Sequence, residues 1–247
     1  MTRFFQMVYD AGRNHNTRSE KRSEMETFET MEIKRHCKPA FDKIPKEKQD
    51  RILGAAAREF AAMGFTAANI NVIAQKAGIS IGSMYNYFSS KEDLFLTVND
   101  QGYEVIAEVV NTVAAEEGDI FHKIETLIRA VQKYARHHIE LNQIYLDITS
   151  QGLSHLSRKL SNQLEAITAG LYHRLIREAQ EQGIVSPAID PFVGAFCIDN
   201  LVVMLQYAYA SDYFAERKKI FAGEDALEND EKMVRGIMLF IRKALAP

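Results

Sequence analysis

The chain has 247 residues, 47% hydrophobic and 26% charged, with a formal net charge of −3. That balance belongs to a folded globular protein with room for one small and one medium core, and it excludes a uniformly basic nucleic-acid coat. No apolar run is long enough to span a bilayer, and the first residues, MTRFFQMVYDAGRN, lack the apolar stretch of a signal peptide. The two cysteines, Cys37 and Cys197, form no metal or redox motif. The expectation is a cytoplasmic protein with no membrane association, no bound metal and no cofactor.

Residues 1–44 mix Glu20, Glu24, Glu26, Glu29 and Glu32 with lysines and arginines and show little periodic apolar pattern. They read as a poorly ordered N-terminal arm or as a mis-assigned start, with translation beginning at Met25 or Met31. From Pro45 the pattern turns helical. Proline suits a first helical turn, and Glu47 sits where the helix dipole favours an acid. Ile52, Ala55, Ala56, Phe60 and Met63 then recur at three-four spacing, and Gly64 stops that helix. Asn69 caps the next helix, with Ile70, Ile73, Ala74 and Ala77 inward. Gly78 ends it, Ser80 caps a third helix running to about Phe88, and Ser90 opens a fourth.

After Leu94 the chain reads as helix after helix, near 91–115, 120–138, 140–151, 155–182, 190–220 and 229–245. The breaks fall at Gly118-Asp119, Gly152, Gly183 with Pro187, and Gly223. With no β alternation of useful length, the fold class is all-α. A helix-turn-helix domain over 45–94 precedes a larger helical domain over 95–247.

The stretch 69–91, NINVIAQKAGISIGSMYNYFSSK, has the form of a helix-turn-helix DNA reader. In helical projection Met84 and Phe88 face inward with Ile79. Gly82, Ser83 and Asn86 lie opposite, Tyr85 and Tyr87 flank that face, and Ile81 is ambiguous. Gly82 lets the backbone approach a groove, and Ser83, Tyr85 and Tyr87 can donate to phosphates. Asn86 can pair with a base edge, and Lys91 places a cation at the start of the following helix. Asn69 and Ser80 complete the candidate DNA-binding set as the caps of its two helices. The plain alternative is a helical hairpin in an all-α core.

The string from Ile73 to Leu94 resembles the N-terminal domain of the TetR family of bacterial regulators. It supplies Ile73, Ala74, Ala77, Gly78, Ile79, Ser80, Gly82, Ser83, Met84, Tyr85, Tyr87, Phe88, Lys91, Glu92 and Leu94 at matching positions. RILGAAAREFAAMGF before it is similar to the family's first helix. The resemblance covers about 45–95. It implies that Ser83, Tyr85, Tyr87 and Lys91 contact phosphates and that residues 81, 82 and 86 select sequence. It also implies a C-terminal domain that dimerises and holds a small-molecule inducer, in a homodimeric repressor on palindromic operator DNA.

The residues support that larger domain only generically. Phe192 to Tyr209 is apolar nearly all round, and Met233, Ile237, Phe240 and Ile241 share a face of the last helix, so two helices per chain suit a four-helix dimer interface. Tyr103, Phe121, Tyr134, Tyr145, Tyr172, Met204 and Tyr207 are candidate pocket residues, with Asp199 and Asn200 as polar groups in an apolar run that need partners. His137 and His138 are adjacent and point to different faces, which is poor geometry for one metal. The rival readings are a DNA-binding regulator independent of any ligand, or a helical carrier or enzyme with a structural helix-turn-helix. No catalytic string such as H-E-x-x-H or G-x-S-x-G supports the last.

Overall fold

The computed structural model describes residues 35–150 and 154–247. The expected arm up to residue 34 and the expected break at Gly152 lie outside the described residues. Every regular element among the described residues is helical.

The first of these departs from expectation. Within the stretch read as a poorly ordered arm, Pro39–Asp42 forms a helical turn, α1, with proline at its start. Phe41 is 3% exposed and packs 4.8 Å from the ring of Phe88 and 5.8 Å from that of Tyr87, while the Lys38 N–H donates to the Tyr87 carbonyl at 2.8 Å. One ring anchors the segment. A single anchor makes no period, which is why the pattern of residues 35–44 did not announce it.

Helix α2, Lys46–Ala67, follows Pro45 and buries Ile52, Ala55, Ala56 and Phe60. Its alanines leave room for α3, Ile70–Lys76, on one side, and for two later helices on the other. Gly64 holds φ 68°, a left-handed conformation that bends the helix there, and one more turn follows before Ala68. The expected caps form. The Asn69 side chain accepts from the Asn71 N–H at 2.9 Å, and the Ser80 hydroxyl accepts from the Ser83 N–H at 3.0 Å. Gly78, at φ 65°, makes the turn between α3 and α4, Ile81–Tyr87. Ser90 accepts from the Asp93 N–H at 3.0 Å and opens α5, Lys91–Ala115.

Glu59 ties this domain from beneath. It is 5% exposed, and it accepts from Lys76 Nζ at 2.8 Å and from the Asn69 N–H at 3.4 Å. The Lys76 ammonium, against the opposing effect of burial, holds its carboxyl below the usual carboxylate range. One acid thereby joins α2 to both ends of α3.

The rest consists of α6 Ile120–His137, α7 Ile139–Ser150, α8 Ser154–Glu181, α9 Pro191–Tyr207, α10 Asp212–Ala222 and α11 Asp230–Leu245, with a short 3-10 turn, Glu224–Leu227, before α11. The expected single helix over 190–220 is two. The chain turns at Tyr207–Ser211, where Ala210 and Ser211 N–H groups both donate to the Tyr207 carbonyl. That turn contains neither glycine nor proline, so nothing in the composition marked it.

The core of the DNA-reading domain does not stop at residue 94. Ile52, Phe60, Ile73, Met84 and Phe88 pack in one cluster with Leu94, Phe95 and Val98 of α5 and with Ile144 and Ile148 of α7. The expected boundary at 94/95 thus falls inside a continuous helix whose first two turns belong to the smaller domain's core. Because Phe41 closes that core beneath α4, Phe41→Ala should lower stability by about 3 kcal/mol, read from the midpoint of urea unfolding. An unchanged midpoint would show that the turn is not part of the domain.

Candidate nucleic-acid interface and interior cavity

The short α4 presents a mixed face outward. Ile81 is 38% and Tyr85 48% exposed, Gly82 and Asn86 are exposed between them, and Ser83 is half-buried. Met84 and Phe88 point inward, as their four-residue spacing requires. Tyr87 corrects the projection. It is buried, because position 87 shares the face defined by 84 and 88, and its ring lies against Phe41. Its hydroxyl accepts from Lys48 Nζ at 3.2 Å. Tyr87 therefore packs the reading helix and draws Lys48 towards it, rather than flanking the outer face.

Lys91 also departs from a simple phosphate contact. Its ammonium donates to the carbonyls of Thr66 at 3.0 Å and Ala68 at 3.1 Å, and sits 5.0 Å above the ring of Phe65. It closes the carbonyl end of α2 after the Gly64 bend, so its first task is to fix α5 against the reader. The other cations near the motif behave alike. Arg51 Nε donates to the Ala77 carbonyl at 2.9 Å, Lys38 Nζ to the Tyr85 carbonyl at 2.7 Å, and Lys46 pairs with Asp50 at 3.1 Å. Arg51 and Lys38 thereby satisfy carbonyls in the last turn or end of α3 and α4. Asn69 and Ser80 are exposed, and their side chains serve as the caps described above.

Behind this domain, residues of α5 to α9 line a cavity. Four of the candidate pocket residues line it: Tyr134, Tyr145, Tyr172 and Asp199. The others do not. Tyr103 is buried off the wall, and Tyr207 lies one layer back, its hydroxyl 2.9 Å from that of Thr149 and its ring 6.0 Å from that of Tyr145. Asn200 is exposed and donates to the Phe196 carbonyl at 2.7 Å, and Met204 is 40% exposed. The reason is rotation. Asp199, Val202, Val203 and Gln206 form the inner stripe of α9, which turns 200 and 204 outward.

Several wall residues went unforeseen: Asn99, Gly102, Val105 and Ile106 on α5, Asn142 on α7, and Glu165 and Thr168 on α8. A signal existed in Asn99 and Asn142, polar groups buried in apolar stripes whose amides turn back to backbone carbonyls. Glu165 accepts from the Tyr145 hydroxyl at 2.6 Å. Burial, and then the negative Glu165, raise the Asp199 carboxyl from 3.8 to about 6. Burial pushes the Tyr134 hydroxyl well up, and that hydroxyl has no hydrogen-bond partner. Among the described residues no group of His, Cys, Asp and Glu is arranged to hold a metal ion.

Asp199 predicts a pH dependence. Its proton is held more tightly in the folded chain than in the unfolded one, so the associated stability is complete below about pH 4 and is lost as pH rises through about 6. The loss is about 3 kcal/mol. Unfolding of the free protein across that range should show this descending limb, and Asp199→Asn should abolish it. A limb of equal size in the variant would place its origin elsewhere.

Comparison with known proteins agrees with this geometry. Residues 52–98 match the model of the bacterial regulatory proteins of the tetR family, the stretch that holds α2 to α4 and the start of α5. The HTH-type transcriptional regulator UidR of Escherichia coli is 27% identical over 169 residues, covering 67% of this chain and 81% of that protein. A solved TetR family regulator from Chloroflexus aurantiacus superposes with a TM-score of 0.65 at 20% identity, covering 85% of this chain and 99% of its own. FadR from Bacillus subtilis, solved in complex with stearoyl-CoA, does so with a TM-score of 0.61 at 17% identity, over 75% of this chain and 95% of its own. At those identities the structural matches establish the fold.

Proposed function

Starting from a chain that belongs to the TetR family of bacterial transcriptional regulators, we propose that it acts as a dimeric repressor released from operator DNA by a small molecule held between α5 and α9. It is a DNA-binding regulator and not an enzyme. One observation carries the ligand-responsive reading. Helix α5 contributes Leu94, Phe95 and Val98 to the core beneath the reading helix, and Asn99, Gly102 and Val105 to the cavity wall one turn later. Helix α7 does the same with Ile144 and Ile148 on one side and Asn142 and Tyr145 on the other. A molecule that spreads the wall on the side of α5 or α7 moves a helix that also carries the core beneath α2 and α4. Such a ligand shifts DNA affinity only by its differential affinity for the two arrangements, and DNA reciprocally lowers its binding. That FadR of Bacillus subtilis, which shares the fold, was solved in complex with stearoyl-CoA supports a ligand-responsive reading.

Dimerisation is supported by an exposed apolar face on the same two helices that the sequence singled out. Phe192, Val193 and Phe196 of α9 and Leu239 and Phe240 of α11 are each more than half exposed in the single chain. Ile241, expected on that face, is instead 2% exposed within the chain's own core. A contiguous aromatic and aliphatic surface of this kind is covered in a stable assembly, and two-fold pairing suits a palindromic site. Phe196→Glu combined with Phe240→Glu should convert the dimer to a folded monomer by light scattering and abolish tight operator binding. A dimer that persists in the double variant would remove these helices from the interface.

On the DNA side, the outward residues of α4 carry the reading: Asn86 with Ile81 and Gly82 for sequence, and Ser83 and Tyr85 for phosphates. The buried Tyr87 and the carbonyl-bound Lys91 act chiefly by holding α4 and α5 in place. Tyr85→Phe should weaken binding to specific and non-specific DNA alike. Asn86→Ala should cost about 1–3 kcal/mol at the operator and relax preference at one base pair per half-site, measured by competition at fixed salt. Equal losses on specific and random DNA for Asn86→Ala would overturn its assignment as a base reader. The regulator reading as a whole would fail if the folded dimer showed no preference for any fragment of its source genome.

A further inference from the structure

The cavity wall has a charge character that narrows the class of ligand. Its residues are mostly apolar, with Val105, Leu127 and Val202 among them, and two carboxylates, Glu165 and Asp199, enter from α8 and α9. No lysine, arginine or histidine is among the described lining residues. The ring of His138 lies 4.4 Å from that of Tyr134, and burial lowers its pKa. Glu165 has one neutral donor, the Tyr145 hydroxyl, and no described group hydrogen-bonds Asp199. A third polar group waits at the same wall. Tyr134 is 7% exposed and lines the cavity, its hydroxyl lies 3.7 Å from where a Cβ on Gly102 would stand, and it has no partner. Half-buried acids and an orphan hydroxyl, with no cation among the described wall residues, are half of a recognition site.

We propose that the ligand is a protonated amine on an apolar body, its ammonium facing Glu165 and Asp199 with Tyr134 as a further acceptor, and that acyl-CoA thioesters and other anions are excluded. The ammonium N–H groups satisfy the acceptors, and the apolar body fills the aliphatic remainder of the cavity. An anion would meet two carboxylates of its own sign in a low-dielectric space, with no described lining cation to receive it. This inference rests on the reading of the cavity as an effector site.

The test is calorimetric titration of the full-length dimer with four probes that share a ten-carbon chain: decylamine, decanol, decanoate and decanoyl-CoA, each below its aggregation concentration. Decylamine should bind at least about tenfold more tightly than decanoate or decanoyl-CoA. In the double variant Glu165→Gln, Asp199→Asn that advantage should vanish while decanol binding, which reports an intact cavity, is unchanged. Tighter binding of decanoate or decanoyl-CoA, no binding by any probe, or an amine preference that survives in the double variant would each overturn the proposal. Operator affinity measured alongside separates this claim from the one it rests on. An amine that binds without altering operator affinity upholds the ligand class and overturns the inducer role. Release by decanoyl-CoA does the reverse.

Discussion

The DNA-reading domain cannot complete its core from its own residues. Helix α2 is faced with Ala55 and Ala56, and α3 and α4 are seven residues each, so one long and two short helices leave Ile52, Phe60 and Phe88 without enough apolar cover. The cover comes from Phe95 and Val98 of α5 and from Ile144 and Ile148 of α7. Close packing makes this junction stiff, and stiffness is what transmits displacement. The reader is stable only when seated on two helices that also form the cavity wall, so its orientation follows theirs.

The polar contacts around the reader serve the same end. Glu59 joins α2 to α3 through Lys76 and the Asn69 N–H, Arg51 closes the end of α3, and Lys91 closes the end of α2. These are charge-assisted bonds to groups that a helix end leaves unsatisfied. A chain with net charge −3 has few cations to give to phosphate alone. Several of those near the motif position the backbone.

What could be read in the sequence and what could not divide along physical lines. The caps at Asn69, Ser80 and Ser90 and the turns at Gly64 and Gly78 were legible because each depends on a residue's own backbone preference or on a partner two or three positions away. The inward placement of Met84 and Phe88 followed from helical spacing. Tyr87 shares the inward face of Met84 and Phe88, and it was misplaced because the ring that covers it, Phe41, lies in a stretch without period. The break at Tyr207–Ser211 carries no glycine or proline. The cavity was partly legible: Asp199 and three tyrosines were named, whereas Asn200, Met204, Tyr103, Phe121 and Tyr207 were not on its wall. A wall assembled from five helices is fixed by how each is rotated, and single-helix periodicity leaves that rotation free when a helix such as α9 is apolar on nearly every side.

The most direct test of the central claim is to select fragments of the source genome with the purified full-length protein at fixed salt and to sequence what is retained. The account predicts enrichment of an inverted repeat whose half-sites lie about one helical turn, or a multiple of it, apart, because two copies of α4 must enter successive major grooves from one dimer. Retention of fragments without any shared repeat, by a protein verified as folded and dimeric, would contradict the account and leave the helix-turn-helix as a structural hairpin.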